Sequence, residues 1–345
     1  MYKGGQMIPE EKSAAVAKAL REAFDVTAPD EIRQIPNGTF NKVKVFRIMV
    51  RGTPYLLRVI LRTEDPTCHF TCMGAAAEAG LAPRVRYTNV EDRVSVTDFV
   101  QGVIPFPRSE ALVRVPRLLR ALQALPAFPG RAGHLNTSCT FLLQKGPVVD
   151  GLLQRCRTMG VLPQDQMDEL LARHAQLASV YAPREAEMAP CHNDLFKPDN
   201  MLFDGQRVWL VDWEAAFQND RYADLAAAAN MIVTSDADED IYLREFFGQP
   251  PDPYHRARFF LMQQVAHIFY TMAFLILQSG GQPIDWSEPA PDYEEFQRRF
   301  WAGDVKLDET PAKIAYGRVH WERLLRNVQS PRYEESLRIV SGREV

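Results

Sequence analysis

Cys191-His192-Asn193-Asp194-Leu195-Phe196-Lys197-Pro198-Asp199-Asn200 leads directly into Met201-Leu202-Phe203, and the next apolar run, residues 207–211, ends in Asp212-Trp213-Glu214. Asp204-Gly205 between the two runs predicts a hairpin, because these residues tolerate the positive φ that a tight loop requires. A polar loop thus enters one strand and an acid leaves the other. The pattern places two carboxylates and a carboxamide at the tips of one ribbon, where they can gather around a divalent cation. Mg²⁺ takes a few carboxylate or carbonyl oxygens from protein and the rest from phosphate and water. The remaining carboxylate can accept a proton from a hydroxyl nucleophile. A metal, a placed base and little else is what phosphoryl transfer asks of a protein.

Upstream of this ribbon, residues 10–25 read as an Ala-rich helix. Val43–Val50 and Tyr55–Leu61 read as strands joined by a turn at Gly52-Thr53-Pro54. A short helix over 72–79, stopped by Gly80 and Pro83, precedes two further strands at Val85–Asn89 and Val94–Val100. Beyond a Pro-containing connector the texture is helical: 111–125, 164–181, 222–234, 239–247 and 253–278, with a charged helical tail from Pro289. This divides the chain into a β-rich region at 1–100, a linker at 101–108 and a helical region at 109–345 that contains the ribbon.

The 345 residues are 46% hydrophobic and 24% charged, ordinary globular values that exclude collagen-like and wholly disordered readings. Forty basic against 44 acidic side chains, a formal charge of −4, argue against a general nucleic-acid binder. Five cysteines, at 68, 72, 139, 156 and 191, are sparse and odd in number, and charges interrupt the first 25 residues where a secretory leader needs an apolar run. A reducing cytoplasm is the expectation. Cys68-His69 and Cys72 have no second cluster at zinc spacing, so packed helix thiols are expected there rather than a metal site. Phe259–Leu277 lacks Asp, Glu, Lys and Arg, but Gln263, Gln264 and His267 sit inside it, as suits a buried helix better than a membrane span.

The string from His192 to Phe203, then Val211-Asp212-Trp213-Glu214, then Asn219-Asp220-Arg221-Tyr222-Ala223-Asp224-Leu225-Ala226, resembles the protein-kinase-like small-molecule kinases, the choline/ethanolamine kinase and aminoglycoside phosphotransferase group. The likeness runs over residues 30–280. It implies an α+β, two-lobed protein-kinase-like fold: a small antiparallel β lobe with one helix and a larger, mainly helical lobe. It also implies ATP and Mg²⁺ as cofactors and a small-molecule alcohol as acceptor, with no nucleic acid and no membrane span, and it leaves room for a homodimer. By position, Asp194 would be the catalytic base, His192 would hold its loop through backbone hydrogen bonds, and Asp224 would brace that loop from beneath. Asp212 and Asn200 would bind the metal. The family spacing from base to amide is five residues, whereas Asp194 to Asn200 is six, so either the loop bulges or Asp199 substitutes.

In the β-rich region, Asn37-Gly38-Thr39-Phe40-Asn41 carries no GxGxxG and alone would be a plain hairpin turn. The resemblance makes Asn37, Gly38, Thr39 and Asn41 the turn that covers the phosphates. Arg58, within YLLRVIL, either faces solvent or offers its donor fork to phosphate oxygens, as the choline-kinase branch does. The acid that usually pairs with it should lie on the following helix, but residues 67–77 contain none and Glu78 comes late. Adenine would lie along the linker near Asp98 and Val100. There is neither a DFG nor an APE signature, which sets the protein kinases aside. For the acceptor, Tyr270 and Phe274 resemble the aromatic helix that receives choline, with Trp213, Trp286 or Trp301 nearby; their i, i+4 spacing is equally that of core packing. Glu214 and Asp220 could bind an amine or several hydroxyls, which would suit an aminoglycoside as well. The expected activity is ATP-dependent phosphorylation of an amino alcohol such as choline or ethanolamine. The alternatives are an aminoglycoside, thiamine-like or sugar acceptor, or a binding module without catalysis.

Overall fold

The computed structural model describes residues 8–36, 43–129, 153–154, 157–160, 162–181, 184–276 and 284–342. The chain groups into two compact units, Met1–Ile104 with Leu202–Glu214, and Pro105–Met201 with Ala215–Val345.

The first unit contains helix α1 (Ser13–Phe24) and strands β1 (Glu31–Ile35), β2 (Val43–Val50), β3 (Thr53–Ile60), β4 (Val85–Asn89) and β5 (Val94–Asp98). They form an antiparallel sheet of order β1-β2-β3-β5-β4. The β2–β3 loop is two residues, with Val50 opposite Thr53 and both Arg51 (φ 50°) and Gly52 (φ 75°) left-handed. This twist matches the strands, so the turn sits one residue earlier than the Gly52-Thr53-Pro54 expected. Phe46, Ile48, Leu57, Val59, Val94 and Val96 form the buried face, closed by Val16, Ala19 and Leu20 of α1. Strand β1 is the strand that a hairpin turn at Asn37 requires before it; Glu31 and Arg33 break its apolar run, and it pairs with β2 alone, so the sequence leaves its bounds open.

Helix α2 (Thr67–Glu78) starts five residues before the expected 72. Asp65 accepts from the Thr67 amide (2.9 Å) and hydroxyl (2.6 Å) and so opens the first turn. Cys68 and Cys72 lie one turn apart with sulfurs 4.0 Å apart. Among the described residues no group of three His, Cys, Asp or Glu could hold a metal; Cys139 and Cys156 lie outside the described residues. The ribbon of strands β7 (Met201–Phe203) and β8 (Val208–Leu210) is present, with Gly205 at φ 89° and Asp204 accepting from the amides of Gln206 and Arg207. Residues 202–214 group with the first unit although they lie late in the sequence. Two backbone bonds tie them in: Leu210 N–H to Leu81 O and Ile104 N–H to Phe203 O, both 2.9 Å.

The second unit is mainly helical: α3 (Arg108–Gln123), α4 (Gln164–Val180), α5 (Tyr222–Ile232), α6 (Asp236–Phe247), α7 (Pro253–Ile276), α8 (Tyr293–Trp301), α9 (Thr310–Val328) and α10 (Pro331–Ser341). It adds a short antiparallel pair, β6 (Met188–Cys191) with β9 (Phe217–Asp220). Helix α7 packs against α5, α9 and α10. Its approach to α9 is close: a Cβ on Gly317 would come within 2.7 Å of Leu275. Among the described residues no helix is long and apolar enough to cross a membrane. On α7 the buried Gln264 is satisfied within the unit, donating to Phe260 O and accepting from Asn327.

Candidate active site

In the second unit the quoted loop begins where β6 ends, with Cys191 opposite Phe217 of β9. Asp224, in the first turn of α5, lies beneath it with 1% exposure. Its carboxylate accepts from the backbone N–H of His192 (2.6 Å) and of Asn193 (2.7 Å). Burial pushes the Asp224 pKa up, against the downward pull of His192 and of those two N–H groups. Asn193 takes the left-handed conformation, φ 63°, which an Asn tolerates better than most residues. Its side chain is pinned at both ends, donating to Ala215 O (3.0 Å) and accepting from Asn219 (2.6 Å).

Asp194 follows with its side chain 21% exposed. Asn200 donates both to the Asp194 carboxylate (2.8 Å) and to its backbone oxygen (2.7 Å), and Lys197 Nζ lies 3.1 Å from the same carboxylate. The six-residue spacing is absorbed by a turn at 195–196, a bend at Lys197 and a 3₁₀ turn over Pro198–Asn200. The loop bulges: Asn200 is buried and returns to Asp194, while Asp199 is exposed. Leu195 is fully buried, and the Phe196 ring lies 5.3 Å from that of Tyr270, 5.6 Å from Phe274 and 6.2 Å from Tyr316. Lys197 Nζ lies 5.9 Å from the Phe196 ring centre.

In the first unit Arg58 does not point to bulk solvent. Its strand neighbours Leu57 and Val59 fill the core on one face of the sheet, and Arg58 stands on the other with 14% exposure. Its Nη2 lies 2.9 Å from Asp212 Oδ1. Asp212 is left-handed at φ 67°, a conformation that Asp adopts more readily than most residues. Glu214 bridges two cations, Oε1 toward Arg58 and Oε2 toward Arg62. Burial and the neighbouring Arg58 lower the Arg62 pKa.

Other candidates fall elsewhere. Trp213 is 1% exposed and spends its indole N–H on Leu210 O, so it is a core residue of its unit. Glu214 is occupied by arginines. Asp220 is buried in the second unit, accepting from Arg258 (2.8 Å), Tyr181 and the Tyr222 N–H. Burial raises its pKa to about 6 against the pull of Arg258. Tyr270 is 5% exposed, inside the ring cluster. Trp301 donates to Phe106 O, and Trp286 lies under Arg318. The Asp98 carboxylate is held by Arg86, and its backbone N–H donates to Arg84 O. Asn37, Gly38, Thr39 and Asn41 lie outside the described residues. Sequence reading passed over Arg62, Lys197, Phe196 and Tyr316. Arg62 shares the odd-even parity of Arg58, and Phe196 and Lys197 stand inside the quoted loop, so three of the four left a signal.

Residues 31–260, two thirds of the chain, match the phosphotransferase enzyme family APH. The protein LicA of Haemophilus influenzae is 33% identical over 102 residues, which cover 30% of this chain and 35% of that protein, so the chain spans about a third of the length of this relative. Among solved structures, a choline/ethanolamine kinase family protein from Mesorhizobium loti matches at TM-score 0.65 and 20% identity, over 96% of this chain and 99% of that one. The choline kinase LicA from Streptococcus pneumoniae matches at TM-score 0.54 and 13% identity, over 84% and 97%. A spectinomycin phosphotransferase, solved with ADP and spectinomycin, matches at TM-score 0.54 and 9% identity, over 89% and 98%. At such identities the likeness is one of fold, and that fold is the α+β, protein-kinase-like one expected from the sequence. The chain belongs to the APH phosphotransferase enzyme family, the group of small-molecule kinases that its loop and ribbon resemble.

Proposed function

We propose that the protein is an ATP- and Mg²⁺-dependent kinase that phosphorylates the hydroxyl of an amino alcohol, choline or ethanolamine. The observation that carries this is the Asp194 carboxylate, held by Asn200 and Lys197 on a loop that Asp224 anchors through two backbone N–H groups. A carboxylate so placed can orient an acceptor hydroxyl and take its proton, an effect worth about 10²–10⁴ in rate. His192, buried with its N–H on Asp224, fixes the loop. Arg58 would steady phosphate oxygens, Asn37, Gly38, Thr39 and Asn41 would form the turn over them, and backbone groups near Asp98 and Val100 would hold the base.

Each of the two candidate ligands, taken within its own unit, offers the kind of oxygen a hard cation takes. The Asp212 carboxylate is 32% exposed, and the Asn200 amide spends its N–H₂ on Asp194 while its oxygen is left to accept. Mg²⁺ held by these two oxygens would neutralise charge on the transferring phosphoryl group.

An amino alcohol is favoured over an aminoglycoside by the Phe196, Tyr270, Phe274 and Tyr316 rings beside the base loop. Lys197 already sets a cation between the Phe196 ring and the Asp194 carboxylate, and a substrate ammonium needs the same two partners. The acids that an aminoglycoside would require, Glu214 and Asp220, are committed to arginines.

The test is ADP release over a panel of choline, ethanolamine, aminoglycosides, thiamine-like alcohols and sugars, with Asp194→Asn alongside. Turnover with choline or ethanolamine, lost at least ~10²-fold in the variant while ATP binding persists, supports the proposal. Turnover confined to aminoglycosides would overturn the acceptor. Equal and negligible turnover in both proteins would make the chain a binding module.

A further inference from the structure

We propose that Glu214 is a positioning residue for the nucleotide: it sets the Arg58 guanidinium by bridging it to Arg62, and so does the work that the acid-free helix α2 leaves undone. This rests on the phosphate-binding role given to Arg58 above. Three observations in the first unit carry it. Helix α2 holds no acid before Glu78, and among the described residues no ion pair is recorded for Glu78. Glu214 uses both carboxylate oxygens, one on each arginine. Asp212, two residues earlier, is the other anion on Arg58.

The electrostatics explain why a bridge is needed. Arg58, on β3, and Arg62, just beyond its end, both meet Glu214 and repel each other, and both are partly withdrawn from water, at 14% and 31% side-chain exposure. Screening there is weaker than on an open surface. With Asp212 alone, two guanidinium groups would compete for one carboxylate, and that carboxylate is the one assigned to the metal. Glu214 supplies the second charge. Arg58 would then keep a carboxylate partner even with Asp212 committed to a metal ion. The backbone serves this too: Asp212 at φ 67° is followed by the 3₁₀ turn Trp213–Ala215, with Trp213 sunk in the core. Glu214 is thereby turned toward β3. With one oxygen turned to each arginine, the Glu214 charge is balanced by Arg58 and Arg62, so the residue acts on ATP and not on acceptor choice.

The experiment measures ATP binding calorimetrically with Mg²⁺ and no acceptor, for wild type, Glu214→Gln, Glu214→Asp, Arg58→Ala and the double variant Arg58→Ala/Glu214→Gln. Glu214→Gln is expected to weaken ATP binding about tenfold, and Arg58→Ala with Glu214→Gln to be no weaker than Arg58→Ala alone, because the glutamate acts through the arginine. Glu214→Asp, which keeps the charge, should recover most of the loss. In turnover, KM for ATP should rise in Glu214→Gln while KM for the acceptor stays within about twofold. Unchanged ATP affinity in Glu214→Gln, additive losses in the double variant, or a rise confined to the acceptor KM would each overturn the inference while leaving the kinase reading standing. Wild type that binds no ATP would overturn both.

Discussion

Replacing Arg258 by Met tests how the second unit holds the base loop. Arg258 is 1% exposed and lies between the Asp220 carboxylate (2.8 Å) and Glu187 (2.6 Å), which are 1% and 13% exposed. Its guanidinium carbon stacks 3.8 Å over the Tyr181 ring. Met keeps much of the stacking volume but removes the cation, and so strands two carboxylates in poor solvent. Breaking a buried pair from one side costs roughly 3–5 kcal/mol. At about 2 °C per kcal/mol for a chain of this size, Tm should fall by roughly 6–10 °C. The pH dependence has a definite sign. Burial already holds the Asp220 pKa at about 6, above its unfolded 3.8, even with Arg258 opposing. The folded state therefore takes up this proton first on acidification, and the burial cost is relieved as pH falls through 6. Without Arg258 that pKa climbs further, so the penalty of Arg258→Met should be largest near pH 8 and smaller near pH 5. Adding Asp220→Asn should recover about half of the loss, because the neutral amide needs no counter-ion. Activity should fall too, since the neighbouring Asn219 is what pins Asn193 beside the base. Thermal unfolding of wild type, Arg258→Met, Asp220→Asn and the double variant at both pH values measures the stability changes, and a turnover assay measures the fall in activity. A loss under about 1 kcal/mol at pH 8, or no rescue by Asp220→Asn, would refute the reasoning.

Asp224→Asn should separate stability from turnover: one N–H loses its acceptor while the carboxylate's burial cost, the cause of its raised pKa, disappears. The net change in unfolding free energy should stay within about 2 kcal/mol, yet turnover should drop roughly 10- to 100-fold as the loop shifts; unchanged turnover would show that Asp224 does not set the loop. His267 and His320 face each other at 2.7 Å between their Nδ1 atoms, and burial, with Arg323, lowers the His320 pKa to about 3. The unfolded chain binds this proton from about pH 6.5 and the folded one only near 3, so stability is full above 6.5 and lost on acidification, by up to about 1.4 kcal/mol per pH unit. His320→Gln should flatten that slope, and equal slopes in urea titrations from pH 7 to 4 would count against it.

What the sequence made legible was whatever is local. The loop from His192 to Asn200, the ribbon and Asp212 lie within two dozen residues, and their roles are chemical types at short spacing. Strands β2, β4 and the helices of the second unit were likewise written in runs of apolar residues. What stayed hidden was pairing over distance and burial of charge. β6 carries Pro190, is four residues long, and meets β9 across 25 intervening positions, so neither strand announces itself. The ribbon joins the first unit through a bond from Leu210 to Leu81 that no local pattern encodes. Glu214 and Asp220 read alike in sequence as acids near a site, yet one bridges two arginines and the other is sealed beneath the loop.

The aromatic helix shows why a choice between core and pocket was badly posed. Tyr270 and Phe274 at i, i+4 fit both readings, and sequence offers no third ring to decide. That ring is Phe196, two residues after the base. With Leu195 fully buried and Phe196 against α7 and α9, the chain is fixed on both sides of the bulge, and Asn200 is brought back to Asp194 in spite of the extra residue. The rings are core because they hold the loop, and they border the base because they hold that loop. A Phe196→Ala variant alters both at once; only Tyr270→Phe, which keeps the ring and drops the hydroxyl, leaves the packing intact and probes the rim.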